Sequence, residues 1–136
     1  MKTIVRIGAM LNALLAVLHI AALYCLDRLF ELYGIDGVMN RLALCEGTLP
    51  FVVAVVVSLL FLAAAAYGLS ASGDIPRLPL QKAAFCTMLV VFFGRSAWGV
   101  ALLSDHFSWL EFSSAAVALL LGACYLPVII YEDHPE

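Results

Sequence analysis

The chain has 136 residues, of which 65% are hydrophobic and 12% charged, with a net charge of −3 and a mean hydropathy of +1.05. A soluble domain is nearer half apolar and one quarter charged, so a fold of this length cannot hide the surplus and must present it to lipid or to partner helices. The seven basic residues are scattered, which excludes the clustered basic face of a nucleic-acid binder; the four cysteines form neither a C-x-x-C pair nor a Cys/His cluster at zinc spacing, so no metal framework is expected, and no motif calls for a cofactor.

The first predicted element is Ile7 to Leu26, 20 residues without a charge. Lys2 and Arg6 precede it as they would a signal peptide, but the apolar run exceeds the ~7–15 residues of a signal core and no small-x-small site follows, so a retained transmembrane helix is expected. Gly8, Asn12, Leu15, His19, Ala22 and Leu26 recur at intervals of three and four and mark one inward face. Residues 27 to 48 follow as a long connection that interleaves Leu29, Phe30, Leu32, Tyr33 and Ile35 with Asp27, Arg28, Glu31 and Asp36, a mixture suited to the membrane surface.

The second element is Leu49 to Leu69, 21 residues without a charge; Ser70 to Lys82 then breaks helix with Gly73, Pro76 and Pro79. The third is Ala83 to Leu103, whose single charge is Arg95, and the fourth is Phe112 to Tyr131, again uncharged. The connection from Ser104 to Glu111 is short, so the last two helices are expected to be antiparallel neighbours. In the fourth element Ser114, Ala118 and Gly122 form a small-residue ridge for close helix approach, and Pro127 should loosen the final turn.

About 20 apolar residues cross roughly 30 Å of hydrocarbon as a helix, and lipid offers no partner to an unpaired backbone group. Barrel strands would alternate apolar and polar residues, and these runs do not. The expectation is an all-α polytopic membrane protein, a four-transmembrane-helix antiparallel bundle, with residues 1–136 as one membrane domain. Lys2, Arg6, Arg77 and Lys82 on one side against Arg28 and Arg41 on the other place both termini in the cytoplasm. Tyr24, Trp98, Phe107 and Trp109 then fall near the outer interface, where aromatic belts form.

The stretch from Ala66 to Leu80, with its Tyr67-x-Leu69-Ser70-x-x-Gly73 turn and Leu78-Pro79-Leu80, followed by Gly94-Arg95, resembles a group of small bacterial four-helix inner-membrane proteins. The resemblance covers residues 66 to 95. It implies a bacterial inner membrane and no particular activity.

Arg95 is the residue most open to a functional reading, because a guanidinium in a span costs about 2.5–3.5 kcal/mol to insert and marks a site by default. It is the thirteenth residue of its run, ~18 Å from the inner boundary at 1.5 Å per residue; His19 is thirteenth in the first run, and Ser58 lies ~14 Å from the outer boundary. Arg95, His19 and Ser58 can therefore form one polar layer, and Glu46 can meet the guanidinium if it snorkels outward. Two readings stand: a ligand- or ion-binding layer, or an arginine that ties helices together. Asn12, Thr87, Tyr67 and Tyr125 fall at similar inner depths and suggest a second layer of ordinary interhelical hydrogen bonds. Cys25 and Cys45 stand at the two ends of the long outer connection; an oxidising periplasm would permit a disulfide, although unpaired thiols are the simpler expectation.

No carboxylate falls inside the four runs and no nucleophile–base pair can be read from spacing, so enzymatic activity is not expected. The leading expectation is a non-enzymatic accessory or structural component of a membrane assembly, its partners the lipid bilayer and either a second copy or a larger complex. The alternative is a small-molecule or ion binder or transporter that uses the Arg95/His19 layer as a dimer.

Overall fold

The structure, a computed structural model, describes residues 2–25, 49–105 and 107–132. Four long helices account for most of them: α1 (Lys2–Ala22), α2 (Leu49–Ser72), α3 (Gln81–Asp105) and α4 (Trp109–Glu132), with a short 3₁₀ turn at Leu23–Cys25. Among the described residues there is no strand. Each of the four helices contains a stretch long and apolar enough to cross a membrane: Lys2–Ala22, Phe51–Ser72, Gln81–Leu103 and Glu111–Ile130.

The helices differ from the charge-free runs at their ends, for reasons of local chemistry. α1 begins at Lys2, five residues before its uncharged run, because charge does not oppose helix formation and long basic side chains can reach polar surroundings from a helix end. It finishes as α-helix at Ala22 rather than at Leu26. α2 ends where Gly73 adopts φ 87°, a left-handed conformation that costs glycine little. There the Gly73 N–H donates to Ser70 O at 3.2 Å and the Asp74 N–H to Leu69 O at 3.0 Å, the paired bonds of a Schellman motif. The Ser70 hydroxyl then accepts from the Leu78 N–H at 2.9 Å and donates to Pro76 O at 3.0 Å, which folds the turn back on the helix end. Leu80 carries the chain into α3 with φ 55°, a conformation bulky side chains seldom adopt. α4 opens at Ser108, whose carbonyl accepts from the Phe112 N–H at 2.9 Å, and continues as helix through Pro127.

The chain divides into two compact units, residues 1–12 with 64–136 and residues 13–63. The first has its core around Tyr125, and Phe85, Leu121 and Val5 are also fully buried in it. The Tyr125 ring lies 5.3 Å from that of Phe85 and 6.2 Å from that of Phe92. Helices approach closely there. A Cβ on Gly8 would lie 2.8 Å from Cys124 Cβ, and one on Gly68 would lie 2.8 Å from Ala9 Cβ and 3.1 Å from the Tyr125 ring. Of the ridge on α4, Ala118 and Gly122 are buried, Gly122 against the Phe93 ring, whereas Ser114 is only half-buried and the neighbouring Ala115 takes the close contact with Gly99. In the second unit the His19 ring packs at 5.1 Å from Phe61.

Candidate functional site

Arg95 lies in the third quarter of α3 and reaches across to the first turns of α4. Its Nη2 donates to Glu111 Oε2 at 2.9 Å and to Ser114 Oγ at 2.7 Å, and the Ser114 hydroxyl donates to Glu111 O at 3.1 Å. The side chains of Arg95 and Glu111 are 38% and 26% exposed, so the pair is neither closed off nor fully solvated. The Arg95 Nη1 is buried and has no partner among the described residues. Gly99, one turn further along α3, makes the arrangement possible. A Cβ there would stand 2.7 Å from Ala115 Cβ and 3.0 Å from the guanidinium Nη1.

Glu111 is the functional group that the apolar runs overlook, since it falls one residue before the last of them. The signal that could have found it is local. Ser108-x-x-Glu111 has the spacing of a capping box, which starts α4 early enough to draw the carboxylate into the helix. A negative charge in a first turn is favoured by the helix dipole, and here the carboxylate also answers the guanidinium.

The second polar cluster is built around Asn12, which is fully buried. Its Nδ2 donates to Gly8 O at 3.0 Å and to the Tyr125 hydroxyl at 2.7 Å, and that hydroxyl donates to Ala64 O at 3.3 Å. Asn12 Oδ1 is buried with no partner among the described residues. Of the four residues expected in the inner layer, Asn12 and Tyr125 meet. Thr87 donates instead to Ala83 O of its own helix, and Tyr67 donates to Pro79 O.

His19 and Ser58 belong to the second unit. His19 Nδ1 lies 3.0 Å from Leu15 O, a carbonyl that can only accept, and the Ser58 hydroxyl donates to Ala54 O at 2.8 Å. Both are therefore engaged by their own helices. Glu46 and Cys45 lie outside the described residues, and with Cys45 so does a bridge to Cys25, which is exposed.

A further ion pair closes the Schellman turn. Arg6 Nε donates to Asp74 Oδ2 at 2.8 Å and its Nη2 donates to Asp74 Oδ1; the Ser72 hydroxyl is shared between Leu69 O and Asp74 Oδ2. The Arg6 fork first, then the Ser72 hydroxyl, hold the Asp74 carboxyl below the usual carboxylate range.

Comparison with protein-family models, with curated proteins and with solved structures finds no match, so the reading of this chain rests on its own residues.

Proposed function

We propose that this chain is a non-enzymatic accessory component of a membrane assembly, a bundle of antiparallel transmembrane helices whose outer faces meet lipid and partner helices. The observation that carries the reading is the division of labour along the helices. Among the described residues the polar side chains of the spans engage one another or their own backbone, through Asn12 with Tyr125, Arg95 with Glu111, and His19 and Ser58 with local carbonyls, although Asn12 Oδ1 and Arg95 Nη1 are left without partners there. Meanwhile large apolar side chains such as Met10, Val17, Leu60 and Val90 stand exposed. Exposed apolar surface on this scale is what lipid or partner helices cover. The antiparallel arrangement of α3 and α4 is supported by their contacts, where Gly99 meets Ala115 while the earlier Phe93 meets the later Gly122. Both termini in the cytoplasm follows from the basic residues at the span ends, and a bacterial inner membrane from the resemblance of residues 66 to 95.

The test is a photoreactive residue placed in turn at Leu60 and Val90 in living cells. Crosslinks to a defined protein or to a second copy are expected from at least one position. Adducts with lipid alone from both would remove the accessory reading. A second reading, a binder of a small anionic molecule at Arg95, is favoured by one observation, the buried Nη1 that lacks a partner among the described residues.

A further inference from the structure

The turn between α2 and α3 carries an open depression lined by Arg77, Leu80, Lys82, Ala83 and Cys86 among others. Its chemistry is two-sided. Arg77 and Lys82 supply two cations and, among the described residues, the lining contains no acid. The nearby Asp74 carboxylate is taken by Arg6. Lys82 has a partner within the chain, whereas Arg77 is exposed and pairs with no other described residue. Against these cations stand apolar groups that face outward: Leu80 is 79% exposed, and Ala83 and Cys86 are exposed one turn apart on α3. The lining thus passes from charge to hydrocarbon at the first turns of a helix apolar enough to cross a membrane.

From this arrangement we infer that the depression is a binding site for an anionic phospholipid, its phosphate held by Arg77 and Lys82 and the upper part of its acyl chains against Leu80, Ala83 and Cys86. A free phosphate would use the cations and leave the apolar wall without a purpose, and a zwitterionic lipid would bring its own cation against Arg77. Basic pockets beside membrane helices select anionic headgroups in this way, each cation near the surface contributing roughly a fivefold preference. The inference rests on the membrane reading above and is independent of the accessory role.

The experiment uses the full chain purified in a neutral detergent. Phosphatidylglycerol, phosphatidylcholine or inorganic phosphate is added, bound lipid is counted by native mass spectrometry, and melting temperature is followed in parallel. Phosphatidylglycerol is expected to form retained adducts and raise the melting temperature, and the other two are not. Arg77→Gln should weaken phosphatidylglycerol binding about fivefold, and Lys82→Gln by less, since Lys82 already has a partner within the chain. Arg77→Lys should keep most of it. Helical content by circular dichroism accompanies every variant. Equal retention of phosphatidylcholine, reproduction of the thermal shift by inorganic phosphate, or folded single variants with undiminished binding would each overturn the site. A protein that needs detergent for extraction yet ignores lipid charge loses this proposal and keeps the membrane reading.

Discussion

The two polar clusters of the first unit are built on opposite plans. Around Tyr125 a large ring and its hydroxyl are wholly buried, glycines bring the helices against it, and Asn12 and Ala64 complete the bonding of the hydroxyl. Around Arg95 a charge is paired but a third of its side chain stays open, and one of its nitrogens is without a partner among the described residues. The contrast separates polar groups that specify packing from polar groups that keep capacity for something else. A closed cluster stabilises in proportion to its fit even with Asn12 Oδ1 left without a partner among the described residues; a charged and partly open one keeps a guanidinium N–H uncommitted.

That contrast can be broken by substitution, and the largest effect belongs to the closed cluster. Tyr125→Ala should cost about 3–5 kcal/mol, as deletion of a buried aromatic does. Tyr125→Phe should cost about 1–2 kcal/mol, since it removes the hydroxyl and leaves an Asn12 donor unpaired. Denaturation in detergent followed by circular dichroism reads both; equal losses for the two variants would mean that the hydrogen bonds, not the ring, hold the core. Next in size is the close approach beneath the ring. Gly8→Ala places a carbon 2.8 Å from Cys124 Cβ, and overpacking of this kind costs about 1–3 kcal/mol. An unchanged melting temperature would show that α1 and α4 can separate without penalty.

The open cluster should respond differently. Glu111→Ala strands the guanidinium and should cost about 2 kcal/mol, the worth of a hydrogen bond to a charged group. Removing both charges, as Arg95→Leu with Glu111→Leu, should restore that loss, because a well-packed apolar pair can replace an ion pair without destabilising. If the double variant is no more stable than Glu111→Ala alone, Arg95 has a structural duty beyond its partner. Arg95→Lys sharpens the same question at smaller cost. Lysine keeps the charge but not the planar fork, so stability should hold while any growth or binding phenotype falls. A variant silent in both respects would leave the arginine as a helix tie.

The smallest effect is at the Arg6–Asp74 pair, which is exposed. Its folded carboxyl lies below the usual range, so the folded state binds its proton less readily than the unfolded chain does. The stability it contributes is complete above about pH 4 and is lost as the pH falls through the lowered folded value. Asp74→Asn should flatten that acid limb of a melting-temperature profile and leave neutral pH nearly unchanged. An identical acid limb in the variant would assign it to another carboxylate.

Apolar length alone determined that the chain holds four helices fit to cross a membrane, because about 20 residues with at most one charge have few other uses. That Gly73 breaks the helix was equally legible, although α2 runs on to Ser72, past the Leu69 at which its apolar run stops. So was the inward face of α1, where Gly8 and Asn12 are buried, Leu15, His19 and Ala22 are half-buried and Leu26 lies outside the described residues; Val5, Ala9 and Ala16 widen it, being apolar residues that composition does not distinguish from their lipid-facing neighbours. What only the tertiary structure decided was partnership. Depth arithmetic ranks residues by level along a span, but a long arginine side chain reaches over more than one turn, and the rotation of each helix about its axis is set by packing. Hence Glu111, which a count of apolar residues leaves in a loop, holds Arg95. Asn12 takes Tyr125 and passes over Thr87 because the small surfaces of Gly8 and Gly68 admit the tyrosine ring at that level, and no feature of a single helix records which ring its glycines will receive.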